Sequence, residues 1–110
     1  MTTRSTAILR YVASASTYTA VYTVPQGTVV LVKDSRVHVT TSVSLTWSIW
    51  ASHPANGAVA SIGKATTTAD QDWVLSGWLV LEPGDEIFVS VTGGPVYFWI
   101  SGALLPDGST

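Results

Sequence analysis

Val43-Ser44-Leu45-Thr46-Trp47-Ser48-Ile49-Trp50 is the stretch that decides the fold. Val43, Leu45, Trp47 and Ile49 alternate with Ser44, Thr46, Ser48 and Trp50. A period of two sends the first set to one side of an extended chain and the second set to the other. The first side is apolar enough for a core. The second is hydroxyl-rich, with Trp50 the exception. Trp47 therefore belongs to the core, and Trp50 faces outward.

The same period extends in both directions. Ile87, Val89 and Val91 alternate with Phe88, Ser90 and Thr92, and Val96, Phe98 and Ile100 alternate with Tyr97, Trp99 and Ser101. Towards the N-terminus, Tyr18, Ala20, Tyr22 and Val24 make one face, with Thr19, Val21 and Thr23 on the other. No segment carries a helical stripe, and the best helix candidate, 70–73, is too short to hold.

Turn chemistry separates these runs. Pro25-Gln26-Gly27 divides two strands, because proline presets φ and glycine supplies positive φ. His53-Pro54-Ala55-Asn56-Gly57 is a loop, and Glu82-Pro83-Gly84-Asp85 is another. Gly93-Gly94-Pro95 is expected to join its flanking strands as a hairpin. Lys33-Asp34-Ser35 bends or breaks the run before it. Strands are expected at 7–12, 18–24, 28–33, 36–39, 43–51, 58–63, 74–81, 87–92 and 96–104, with an extended loop at 66–72. Eight or nine short strands at this spacing predict an all-β class, as a single antiparallel β-sandwich or jelly roll. One domain over 1–110 is expected, with loose tails at 1–5 and 107–110.

Composition narrows the function. Charged residues are 11% of the chain, against about 25% in an ordinary domain. Ser and Thr take their place on the strand faces, and a surface so poor in charge is weakly defended against association. The net charge is −2, and Arg4, Arg10, Lys33, Arg36 and Lys64 are scattered, so no nucleic acid partner is expected. There is no Cys, hence no disulfide framework and no thiolate chemistry. No apolar stretch reaches the roughly 18 residues of a membrane span, so no membrane partner is expected. The first residues lack an apolar run behind a basic segment, so no signal peptide is expected.

Candidate chemistry is thin. His38 alternates out of phase with Val37 and Val39, which places it on an exposed strand face, and His53 sits in a loop. Neither has neighbours at metal-ligand spacing. Asp70 and Asp72 could share a face and hold Ca²⁺ with loop carbonyls, but that cation wants 6–8 oxygens. A solvated or turn-capping role is favoured for them. Asp85 and Glu86 point to opposite faces if extended, and Asp85 after Pro-Gly is expected to accept hydrogen bonds from its own turn. Ser76-Gly77 and Ser101-Gly102 lack the rest of a nucleophile elbow. No cofactor motif occurs, and no enzyme is expected.

The aromatics are the informative group. Trp50, Trp78, Tyr97 and Trp99 fall out of phase with their core neighbours and are the expected interface anchors. Two uses are open for such residues. Burial against protein partners is favoured, because interface cores lack charge and gather aromatics. The alternative is stacking on sugar rings, as a carbohydrate-binding module or a host-surface adsorption domain, with Asn56, Asp70, Gln71 and Asp72 as the polar contacts to a glycan.

Two longer motifs carry a resemblance. Val21-Tyr22-Thr23-Val24-Pro25-Gln26-Gly27 opens one half of the chain. Trp78-Leu79-Val80-Leu81-Glu82-Pro83-Gly84-Asp85-Glu86-Ile87-Phe88-Val89, followed by Val96-Tyr97-Phe98-Trp99-Ile100-Ser101-Gly102-Ala103, closes the other. Together, over about residues 18–104, they resemble small β-sandwich structural proteins of tailed bacteriophages, particularly minor tail and head-decoration proteins of siphophages. The Trp content and the 66–72 loop depart from that pattern. The resemblance implies a virion component made in the host cytoplasm, non-enzymatic and without cofactor. It implies work in repeated copies, as a homo-oligomer or on a lattice of capsid or tail subunits.

Overall fold

The computed structural model describes residues 6–41, 44–55 and 57–106. Eight strands follow in order: β1 Thr6–Ala13, β2 Thr17–Thr23, β3 Thr28–Val39, β4 Leu45–His53, β5 Gly57–Thr67, β6 Gln71–Leu81, β7 Glu86–Val91 and β8 Val96–Pro106. They form two four-stranded antiparallel sheets, here called the outer-groove sheet, ordered β1-β8-β3-β6, and the aromatic sheet, ordered β2-β7-β4-β5. The chain changes sheet at every connection except β4 to β5. Eight strands in this interleaved order are a jelly roll, which is the all-β sandwich expected from the pattern.

The inner faces hold the core. Leu45, Trp47, Ile49 and Ala51 of β4 and Ile87, Val89 and Val91 of β7 point inward from the aromatic sheet. Val30, Val32, Val37 and Val39 of β3 and Val96, Phe98 and Ile100 of β8 meet them from the other. Trp47 lies edge-on to Trp73 of β6 at 5.2 Å and to Phe98 at 6.3 Å between ring centroids. Its indole N–H is buried without a hydrogen-bond partner among the described residues. The molecule measures 50 × 31 × 19 Å. The short dimension is that of two sheets about 10 Å apart with their outer side chains, so a single layer of core side chains lies between them. At the β5–β6 end a cleft of about 200 Å³ opens between the sheets, lined by Val32, Ser35, Ile62, Leu75 and Leu79.

Four features differ from the sequence expectation, each for a physical reason. The runs 28–33 and 36–39 are one strand, β3, so there are eight strands rather than nine. A bulge between Val32 and Asp34 absorbs the Lys33-Asp34-Ser35 irregularity without ending the ladder. Gly93-Gly94-Pro95 is not a hairpin turn. It carries the chain from β7 in one sheet to β8 in the other, through a cis Gly94–Pro95 peptide. The long 66–72 loop contracts to 68–70, because β5 and β6 both run further than the apolar pattern does. Finally, Tyr18 does not share a face with Tyr22 and Val24. The β2–β7 register shifts between Ala20 and Tyr22, and one extra residue flips every side chain beyond it. Tyr18 is left outside, 74% exposed, while Tyr22 packs against the core. Burial raises the Tyr22 phenol above its ordinary pKa.

The two motifs that carry the family resemblance meet in space. Val24, after β2, donates its N–H to the Asp85 carbonyl at 2.8 Å, and Gly84 donates to the Val24 carbonyl at 3.0 Å. The Asp85 carboxylate accepts from the Glu82 N–H at 2.8 Å, as its turn position predicts. Asp85 is buried, with His53 Nε2 3.8 Å from its other oxygen. The β2–β3 and β6–β7 crossings are thus tied into one corner of the sandwich.

Candidate functional site

The two outer faces of the sandwich differ. On the aromatic sheet, the row Ala20–Phe88–Trp50 crosses β2, β7 and β4, with Tyr18–Ser90–Ser48–Lys64 beside it. Trp50 and Phe88 stack at 5.7 Å with 12° between their planes. Tyr18 closes the group at 5.5 Å from Trp50 and 6.1 Å from Phe88. Around these three rings stand Ser48, Ser90, Ser61 and Thr46. Among the described residues of its four strands, Lys64 and Glu86 are the only Lys, Arg, Asp or Glu.

On the outer-groove sheet, two adjacent cross-strand rows make the site. The first reads Arg10–Trp99–Arg36–Val74 and the second Val12–Tyr97–His38–Asp72, each across β1, β8, β3 and β6. The Arg10 guanidinium lies over the Trp99 ring, 4.2 Å from its centroid. Tyr97 and His38 are in tilted ring contact at 5.6 Å, and His38 Nδ1 pairs with the Asp72 carboxylate. These side chains border a groove of about 430 Å³. Trp99 and Tyr97 remain 43% and 42% exposed in it.

The expected site residues are therefore divided. Tyr97 and Trp99 share one outer face, as their phase predicts. Trp50 lies on the opposite sheet and cannot form a strip with them. Trp78 is in β6, and its side chain is outside the described ones. Of the glycan-contact candidates, Asn56 lies outside the described residues. Asp70 accepts a hydrogen bond from the Thr41 N–H at 2.9 Å, a loop-capping role. Gln71 meets the Thr67 hydroxyl at 3.3 Å. Only Asp72 stands beside an exposed aromatic, with His38 between it and Tyr97. Asp70 and Asp72 do not belong to any group of three metal-ligating side chains among the described residues.

Sequence reasoning missed Tyr18, Phe88, Arg10 and Arg36. Phe88 was legible, since it is out of phase with Ile87 and Val89. Tyr18 was hidden by the bulge. The two arginines gain their meaning from β1 and β3 flanking β8, a pairing between segments far apart in the chain.

Comparison with known proteins adds little to this geometry. No family model matches the sequence, and no curated protein matches it. Among solved structures, a chain of infectious bursal disease virus, Gx strain, is 12% identical with a TM-score of 0.48. The match covers 98% of this chain and 33% of that one, so the present chain spans about a third of its length. Eiger TNF from S. frugiperda is 13% identical with a TM-score of 0.45, over 94% of this chain and 88% of that one. A mutant VP2 protein of infectious bursal disease virus, from derived T=1 particles, is 9% identical with a TM-score of 0.38, over 93% and 31% of the two chains. The jelly-roll assignment itself rests on strand order.

Proposed function

We propose that this chain is a non-enzymatic structural component of a virion, and more finely a minor tail or head-decoration protein of a tailed bacteriophage. It works through contacts made by the aromatic sheet. The observation that carries the reading is the Tyr18–Trp50–Phe88 group, three rings in mutual contact on a face with almost no charge. Burying the three rings removes apolar area from water, at about 25 cal/mol per Å². Only Lys64 and Glu86, in the adjoining rows, bring charge to the face among the described residues of its strands. Aromatic residues in a desolvated centre are the usual anchors of protein interfaces. Of the anchors expected from sequence, Trp50 belongs to this surface. Symmetric copies would multiply a modest contact into a stable one.

The test is the solution mass of the purified chain, by size exclusion with light scattering, for the native protein and Trp50→Ala. A closed oligomer that dissociates at least tenfold more readily in the variant is the expected result; an anchor is worth about 2 kcal/mol or more. If the native chain stays monomeric and also fails to load onto phage heads or tails, the reading is wrong.

A further inference from the structure

The outer-groove sheet has a chemistry that assembly does not use. Arg10 and Arg36 stand on either side of Trp99 in one cross-strand row. Neither guanidinium has an ion-pair partner among the described residues. The Arg10 guanidinium sits over the Trp99 ring, 4.2 Å from its centroid, a cation–π contact that restrains the side chain before any ligand arrives. In the next row, His38 and Asp72 form a linked polar pair beside Tyr97. A fork-shaped cation pair, an exposed aromatic surface and a donor–acceptor pair thus lie within two rows of one sheet.

We propose that this groove binds a carboxylate-bearing sugar unit of an acidic glycan. The carboxylate is taken by Arg10 and Arg36, whose planar forks match its two oxygens. The C–H face of the ring lies on Tyr97 and the free edge of Trp99. The sugar hydroxyls meet His38 and Asp72. At about 430 Å³ the groove falls within the range of small-ligand sites. An acidic peptide fits less well. Peptides that add to sheets use an unpaired edge, whereas β8 and β3 are both interior strands here, with their backbones already paired on each side. Over β8 and β3, between the edge strands β1 and β6, the face offers a ligand side chains rather than unpaired backbone, which suits a sugar. This site is on the opposite side of the sandwich from the aromatic sheet, so it stands or falls independently of the assembly reading.

The experiment is a titration of the labelled chain, followed by the Trp99 indole and Arg side-chain resonances. The probes are trigalacturonate, trimannuronate, sialyllactose, trigalacturonate methyl ester, hexaglutamate and inorganic phosphate. At least one of the three acidic sugars is expected to give saturable shifts at Trp99 and Arg10. Its affinity should fall at least tenfold in Arg36→Gln, with the melting curve unchanged, and be only partly restored in Arg36→Lys. For trigalacturonate, esterification should cost a similar factor. The proposal is overturned if no acidic sugar shifts Trp99, if the ester binds as well as its parent acid where that acid binds, or if hexaglutamate or phosphate binds as tightly as the best sugar. In the last case the arginines read charge alone. None of these results depends on the oligomeric state.

Discussion

The two outer faces of this sandwich are built on the same core with the same alternation, yet they present opposite chemistry. The aromatic sheet gathers three rings among hydroxyls. The outer-groove sheet sets two arginines, a histidine and an aspartate among its exposed aromatics. An outward-facing Trp means something different on each. Trp50 stacks on another ring and presents a dry surface. Trp99 supports a guanidinium and presents a charged one. Aromatic content alone therefore does not define a binding class; the cross-strand neighbour does.

The comparison can be broken most severely at Gly102. A Cβ there would fall on the Leu31 carbonyl oxygen across the β8–β3 pair. Neither strand can yield without losing register, so Gly102→Ala is expected to destabilise the fold by about 3 kcal/mol or more. Both faces should be lost together in urea melts monitored at Tyr18 and at Trp99. Loss of one face alone would show that the sheets are not one cooperative unit.

Trp50→Ala comes next. It removes two ring contacts, each worth about 0.5–1.5 kcal/mol, so roughly 2 kcal/mol of stability should go. Arg36→Gln on the opposite face should stay within about 0.5 kcal/mol of the native protein. Equal losses from the two would contradict the assignment of packing to one face and recognition to the other. Asp85→Ala removes the acceptor for the Glu82 N–H and is expected to cost about 1 kcal/mol, seen as a lower urea midpoint at unchanged slope. The smallest effect belongs to Asp72→Asn. The His38–Asp72 pair is well exposed on both sides, and such pairs are worth about 0–1 kcal/mol, less in salt. A difference that persists undiminished at 1 M salt would show the pair to be better shielded than its exposure indicates.

Much of this was legible in the sequence. The alternation through Leu45–Ile49, Ile87–Val91 and Val96–Ile100 identified the inward residues of β4, β7 and β8, because a period of two leaves no other arrangement for so many apolar side chains. The Pro-Gly-Asp turn announced its own carboxylate cap. Tyr97, Trp99 and His38 were placed on an exposed face by phase alone. The candidate site was legible only in pieces. Its aromatics were visible, but nothing local tied Trp99 to Arg10 or Arg36.

Sequence by itself determined the all-β class and the inward and outward residues of the regular strands, since these depend on near neighbours and on burial. Tertiary structure decided three things. Strand order turned an expected hairpin at Gly93-Gly94-Pro95 into a crossing between sheets. The bulge in β2 moved Tyr18 from one face to the other. The β1-β8-β3 pairing brought Arg10, Trp99 and Arg36 into one row. The physical reason is common to all three. Alternation tells which side of its own strand a residue takes, but which strand lies alongside is fixed by contacts between segments distant in the chain, and these leave no local period to read.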